Sequence, residues 1–369
     1  TIGKWVEQEL RPIAREFDQA DEYPSALVEQ MKELGLFGAT ISEEYGGLGL
    51  SASTYARIVS RICEVWMAPS GIFNSHLIMA SCVEGAGTQA QKEHFLPQFA
   101  TGAMRGGIGV TEPDAGSDLQ GIRLVAKKDG DDYVLNGTKT WISNGINGNC
   151  LAVLTKTDPN ATPRHKGMSL FICEKGDGFS VGKKLKKLGY RSIDSAELIF
   201  EDFRVSKDNL VGGEEGEGFQ QVAGGLELGR INIAARGAGM AKGATSMALH
   251  YAMERKTFGK AIAEHRAIQQ KMAERSTRAA AAGRLVPQAV DRFDRHERCD
   301  LEAGQAKFFA SEAAVQNSLD AMRVFGGYSY SPEYEIERFY RDAPLLCIGE
   351  GTNEIQRMII AKQMVARAS

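Results

Sequence analysis

The run Ile348-Gly349-Glu350-Gly351-Thr352-Asn353-Glu354-Ile355-Gln356-Arg357 sets one carboxylate between two glycines, directly before residues that read as a helix start. The glycines let the backbone turn tightly and approach a ligand closely. Thr352 or Asn353 can cap the Glu-Ile-Gln-Arg helix. A carboxylate held there, away from bulk water, has its pKa raised toward working pH and can act as a base. The same residues also fit an ordinary capped turn with a solvated glutamate, so the chemistry depends on what else converges on Glu350.

Two further segments carry chemistry-bearing types. Gly107-Ile108-Gly109-Val110-Thr111-Glu112-Pro113-Asp114-Ala115-Gly116-Ser117-Asp118 clusters small residues, hydroxyls and amides where an apolar strand meets a turn. Such a loop offers donors to phosphates or to the edge of a heteroaromatic ring. Lys139-Thr140-Trp141-Ile142-Ser143-Asn144-Gly145 is an aromatic and hydroxyl strand end closed by Asn-Gly. Taken singly, the glycines could serve only turns, and Trp141 could fill the core.

In this order the segments make the chain resemble the acyl-CoA dehydrogenase family over essentially all 369 residues. The signatures are Ile41 to Gly47, Thr111 to Asp118, Trp141-Ile142-Ser143, Leu198 to Val205, Arg255-Lys256-Thr257-Phe258-Gly259, Phe325-Gly326-Gly327 and Glu350-Gly351-Thr352.

The resemblance implies α,β-dehydrogenation of an acyl-CoA thioester to the trans-2-enoyl-CoA, with FAD as cofactor. Glu350 is then the general base, its own amide polarises the thioester carbonyl, and the β-hydrogen leaves as hydride to flavin N5. Carried over position by position, Ile108, Gly109, Val110, Thr111, Gly116, Ser117, Trp141, Ile142 and Ser143 surround the flavin ring. Arg255, Thr257, Phe258, Arg266, Arg323, Val324, Phe325, Gly326 and Gly327 hold the rest of the cofactor, with Arg255 suited to pyrophosphate. Thr352, Asn353 and Glu354 follow the base into the cofactor site. Ser117, Glu227, Leu228, Gly229, Arg230 and Gly351 fall on substrate positions.

Some family members carry their base at the position of Gly229, which is empty here. Glu227 lies on a different helix face, and with Arg230 it also fits a surface i, i+3 ion pair. Arg255 likewise fits a solvated helix-face arginine beside Glu254. Two departures concern the cofactor: arginine stands at positions 266 and 323, where the relatives have glutamine. Each adds positive charge near the pyrophosphate or pairs with a carboxylate elsewhere. Ser329 replaces a frequent glycine.

The resemblance also implies electron-transferring flavoprotein as electron acceptor, a role in fatty-acid β-oxidation, and a homotetramer in which the Phe325-Gly326-Gly327 loop serves a neighbouring subunit's cofactor. Localisation is then cytoplasmic in a bacterium or the mitochondrial matrix in a eukaryote. An oxidase on the same scaffold is disfavoured because such chains are usually longer. A DNA-binding stress-response relative would need a basic tail, and Met364 to Ser369 holds one arginine.

The elements that must position these groups follow from composition and pattern. With 43% hydrophobic and 25% charged residues the chain reads as an ordinary globular protein of two or three domains. A net charge of −3 gives no electrostatic reason for nucleic-acid or membrane binding. Six scattered cysteines, with no Cys-x-x-Cys pair, predict reduced thiols, and neither they nor the six dispersed histidines suggest a metal site. Thr1 to Lys4 read as the inside of a helix, as if a short piece preceded them.

Helical spacing of Trp5, Val6, Leu10, Ile13 and Phe17 opens a helical domain over 1–104. Short apolar runs separated by Asp-Gly and Asn-Gly turns make 105–215 a β domain. Long helical patterns return over 216–369. The expected fold is α+β: an N-terminal helical domain, a middle β-barrel-like domain and a C-terminal four-helix bundle, with the flavin between the β and helical parts. Leu77 to Cys82 are expected to floor the acyl pocket, with nothing there to fix a polar chain end.

Overall fold

The computed structural model describes residues 1–368. The first helical stripe forms α1 (Ile2–Trp5), a π-helical turn over Val6–Leu10 and α2 (Arg11–Ala20). Then come α3 (Ser25–Glu33), α4 (Ala52–Cys63), α5 (Ala68–Ala86) and α6 (Gln89–Thr101). Ser51 caps α4 by accepting from Thr54 N, and Thr88 and Gln91 form a reciprocal capping box on α6. α5 is buried around nearly its whole circumference, in line with its predominantly apolar sequence.

The middle of the chain is a curled seven-stranded sheet. Its strands are β1 (Gly106–Gly109), β2 (Val125–Asp129), β3 (Asp132–Ser143), β4 (Cys150–Lys156), β5 (Met168–Glu174), β6 (Phe179–Lys184) and β7 (Ser195–Ser206). The order is β1-β4-β2-β3-β7-β6, with β5 pairing β4. β1 runs parallel to β4, and β4–β5, β2–β3, β3–β7 and β6–β7 are antiparallel.

Side chains alternate across a strand, and here both faces are covered. On β4, Cys150, Ala152 and Leu154 join the helical core while Leu151 and Val153 fill the sheet's own interior. On β5, Met168, Leu170 and Ile172 face the helices and Phe171 and Cys173 face inward. Two buried faces explain why these strands read as unbroken apolar runs.

The C-terminal part is helical: α7 (Gly218–Glu254), a small β8–β9 hairpin (Lys256–Thr257, Lys260–Ala261), α8 (Arg266–Asp294), α9 (Asp300–Phe325), α10 (Ile336–Ile348) and α11 (Asn353–Ala368). α7, α8 and α9 pack on one another, α10 and α11 close the bundle against α9, and α4 and α5 lie on α7. All six cysteines are free. No helix among the described residues is long and apolar enough to cross a membrane.

Candidate active site

α10 ends where Gly349 N donates to Leu345 O at 2.8 Å. The next two residues are left-handed, Glu350 at φ 54° and Gly351 at φ 83°. That region suits glycine but costs a residue with a β-carbon about 1–2 kcal/mol, so something must hold Glu350 there. Thr352 supplies the cap, its Oγ1 accepting from Ile355 N at 3.3 Å. Lys307, buried on α9, donates to Gly351 O at 2.9 Å and to Asn353 Oδ1 at 2.8 Å. Gln356 Nε2 donates to Glu350 O at 3.4 Å.

Lys307 was not singled out in the sequence. Its one signal there is a lysine inside the otherwise small, buried stripe Ala303, Ala306, Ala310 and Ala314. Burial pushes its pKa down to about 8, against neighbouring thiol and carboxylate groups. Asn353, read as a cofactor contact, spends its amide on Ser311 Oγ and Glu312 Oε1. Glu354 is exposed and pairs with Arg357 at 2.9 Å. The Glu350 amide donates to no acceptor among the described residues.

The Glu350 carboxylate lies against Gly229 of α7. A β-carbon built at Gly229 would be 2.8 Å from Glu350 Oε2 and 3.1 Å from Ile78 Cδ1. One turn earlier, a β-carbon at Gly225 would be 2.7 Å from Cys82 Sγ. Of the expected floor, Ile78 and Cys82 therefore face α7 beside the base. The absence of a side chain at position 229 is what leaves room for Glu350. Burial raises the Glu350 pKa, while the charges of Arg236, Arg230 and Lys307 oppose the rise.

The alternative considered for Glu227 and Arg230, an i, i+3 ion pair, does not form among the described residues. Arg230 Nη1 instead lies 3.5 Å from Asp300 Oδ1. Burial and the Asp300 charge raise the Glu227 pKa, with Arg230 and Arg298 opposing. Leu228 is buried in the helical core.

The β-domain residues converge on the same side of α5. β3 carries one extra residue between Lys139 and Ile142 relative to β7, a bulge. It puts Trp141 at φ 61° and leaves it 58% exposed rather than in the core. Asn144 Nδ2 donates to Ile72 O at 2.8 Å and Gly106 O at 2.7 Å, which ties the strand end to α5 and β1. Thr140 N donates to Thr111 O, so the Thr111 and Trp141 segments are neighbours. Ile108, Thr111 and Ser143 are partly exposed, Gly116 and Ser117 fully so, and Gly109, Val110 and Ile142 are buried.

Beneath the loop lies a buried ion pair that the sequence reading did not separate from the motif. Lys139 Nζ donates to Glu112 Oε1 at 2.8 Å and Val110 O at 3.1 Å, and Glu112 also accepts from Arg123 N and Leu124 N. The glutamate and lysine of the two motifs hold the loop in place.

The remaining cofactor positions lie elsewhere. Arg255, Thr257, Val324, Phe325, Gly326 and Gly327 line one cleft of about 720 Å³. Arg255 sits over the Tyr328 ring at 5.6 Å, and Phe258 is 95% exposed at φ 50°. Arg266 is exposed at the start of α8, and Arg323 pairs with Asp320 at 3.1 Å, the carboxylate alternative for that residue. Arg255 follows Gly229 by 26 residues at the end of the same helix, a separation of about 39 Å. A single chain therefore does not bring the Arg255 group to the Glu350 group.

Family models of the acyl-CoA dehydrogenase N-terminal, middle and C-terminal domains match residues 1–103, 107–203 and 216–365. The chain belongs to the acyl-CoA dehydrogenase family, a family of FAD-dependent flavoenzymes. It is 39% identical over 366 residues to an acyl-CoA dehydrogenase of Bacillus subtilis (strain 168), covering 99% of this chain and 96% of that one. It is 39% identical over 367 residues to an acryloyl-CoA reductase (NADH) of Anaerotignum propionicum, covering 99% and 92%. The structure of butyryl-CoA dehydrogenase from Megasphaera elsdenii superposes with a TM-score of 0.95 at 34% identity, covering 99% and 96%.

Proposed function

We propose that this enzyme dehydrogenates an acyl-CoA thioester to its trans-2-enoyl-CoA, with Glu350 removing the α-proton. The observation that carries the reading is the carboxylate itself. It is lifted in pKa by burial, held on a left-handed turn, and faced by a glycine whose missing side chain leaves room for it. An α-proton beside a thioester is weakly acidic, so enolate charge needs a donor where it develops. The Glu350 amide, free of protein acceptors among the described residues, serves that carbonyl. Lys307 and Gln356 keep amide and carboxylate in register by bonding to the same turn.

FAD, when bound, would supply the two-electron acceptor that loss of the β-hydrogen requires. The residues present fit such a group. Thr111 and Ser143 offer partly exposed hydroxyls for a ring edge, and Trp141 presents an exposed indole held out by the bulge. Arg255 and the Val324 to Gly327 loop suit the pyrophosphate end. Because they stand about 39 Å along α7 from Gly229, they serve a second copy's cofactor within a homo-oligomer, of which the tetramer is our reading. Electron-transferring flavoprotein is the acceptor we assign.

Titrating the oxygen-free protein with a panel of acyl-CoAs, while following the yellow flavin band, tests the reading. Bleaching by one or a few saturated thioesters supports it. A relative named as a reductase makes the reverse direction the informative contrast: flavin that no saturated thioester bleaches, but that an enoyl-CoA reoxidises once reduced, makes the enzyme a reductase. No bound flavin overturns the cofactor assignment.

A further inference from the structure

Gly229, Asn232 and Arg236 occupy one stripe of α7, spaced three and seven residues apart. The first member faces Glu350. The other two carry buried polar groups with unfilled hydrogen-bonding capacity. Asn232 Nδ2 donates to Tyr55 OH at 2.8 Å, and Tyr55 OH donates to Asn74 Oδ1 at 3.0 Å, yet Asn232 Oδ1 has no partner. Arg236 is 3% exposed, and its one hydrogen bond is from Nη1 to Tyr190 OH at 3.1 Å, with the Tyr190 ring 5.5 Å away. Its Nε has no acceptor, and no carboxylate lies within 4.0 Å of its guanidinium among the described residues.

Burying an uncompensated charge is costly. Two other arginines are as deeply buried, and they too keep unpartnered nitrogens, Arg338 at Nε and Arg275 at Nε and Nη1, but both donate to backbone carbonyls. Arg338 donates to Val65 O and pairs with Glu335. Arg341, only partly buried, pairs with Asp18 and Glu337. Arg275 donates to the Ala244 and Thr245 carbonyls. Among the described residues Arg236 has only a phenol as hydrogen-bond partner, and its charge opposes the rise of the Glu350 pKa.

We propose that Arg236, with Tyr190, forms a subsite for a carboxylate at the far end of the acyl chain, so that the substrate is a short dicarboxylic acyl monothioester of CoA. This rests on the reading of Glu350 as the base at the α-carbon. Seven residues of helix separate Gly229 from Arg236, about 10 Å. An arginine leans back toward its helix N-terminus, which shortens the span and makes the acyl chain short. The carboxylate supplies the acceptors that Nε and the remaining guanidinium protons lack, whereas a neutral chain end would leave the guanidinium without a counter-charge.

The test compares anaerobic flavin reduction in the holoenzyme by succinyl-, glutaryl- and adipyl-CoA with butyryl-, valeryl- and hexanoyl-CoA. A site built to bond a polar group rejects the analogue that lacks it. We expect at least one carboxylated thioester to exceed its alkyl counterpart by about tenfold or more in kcat/KM. Arg236→Met should collapse that ratio through KM for the carboxylated member, and Tyr190→Phe, which keeps the guanidinium and removes only a hydroxyl, should lower it by a smaller factor. Flavin content and melting temperature report whether either variant has misfolded; if the Met variant does, the Phe variant carries the comparison. Preference of the wild type for alkyl chains, or an unchanged ratio in a folded variant, overturns the subsite and leaves Glu350 as base. If neither class reduces the flavin, the reading of Glu350 fails and the subsite with it.

Discussion

Near one end of α7, Gly229 meets Glu350 in a recess whose turn is tied by Lys307, Asn353 and Gln356, all from the same chain. At the other end, Arg255 has the Tyr328 ring for a neighbour, and Phe258 and Tyr330 are 95% and 91% exposed. One helix thus carries a closed site and an open one. In the closed region the chain itself satisfies the groups that strain the backbone and desolvate the base. In the open region aromatic surface and fixed positive charge are left without that closure. Exposed aromatic and arginine side chains of this kind are what interfaces are enriched in. On the proposed function, proton abstraction is built within one chain, whereas grip on the distal part of the cofactor is shared between copies.

Five outcomes would sharpen or break that contrast. The largest effect belongs to Glu350→Gln, which should lower turnover by about 10³-fold or more while keeping flavin bound. Near-normal flavin reduction in a stopped-flow trace would dissolve the closed site as the reaction centre. Lys139→Met comes next: it leaves Glu112 buried with two amides and no counter-charge, and should cost about 3–5 kcal/mol of stability, read from denaturant midpoints. An unchanged midpoint would mean that the loop under Thr111 is held by other contacts.

Gly229→Ala separates geometry from folding. Its new methyl would crowd Glu350 Oε2, and a misplaced base costs up to about 10²-fold in rate. Alanine favours a helix over glycine by about 1 kcal/mol, so the melting temperature should hold or rise while kcat falls. A slow but less stable variant would indicate general damage to the α5–α7 contact instead. Arg255→Ala acts on the open end. Flavin retention should fall about tenfold and should become steeper in protein concentration, as followed by flavin fluorescence on dilution. Full loading at nanomolar protein would make the cleft irrelevant to the cofactor.

The smallest expected effect is on pH. Glu350 must be ionised to accept a proton, and burial lifts its pKa, so kcat/KM should rise with pH along a limb above the ordinary glutamate value of about 4.3. Lys307→Met removes a positive neighbour that opposes the lift, and the limb should move further up. The linked stability effect has the opposite sense. With its folded pKa raised, Glu350 contributes stability that is fully present below its unfolded value and is lost as pH rises through the folded one. A limb that stays in the ordinary carboxylate range would show that the recess is wetter than its packing suggests.

The sequence carried the ordered motifs, and with them the family, the three-part α+β plan and the candidate base. It could do so because capping, turn and strand signals are local, and because Glu350 between two glycines is a contiguous feature. It also allowed either Thr352 or Asn353 as the cap. Only the fold chose Thr352, since Asn353 is drawn into α9 by Lys307 and Ser311. The two unbroken apolar runs on β4 and β5 predicted strands, but not that one face belongs to the helices and the other to the sheet's own interior.

What tertiary structure alone decided depends on groups distant in the chain. Lys139 finds Glu112 across 27 residues, Lys307 finds Gly351 across 44, and Arg236 finds Tyr190 and no acid. Whether a buried charge is a strut, a clamp or an open hand for a ligand is set by which partners the fold brings within hydrogen-bond reach, and burial makes an unmet partner costly. Residue types and spacing determined that this chain could do the family's chemistry. The packing of α5, α7 and α9 determined where Glu350 sits, that burial lifts its pKa, and that Arg236 meets a phenol rather than a carboxylate among the described residues.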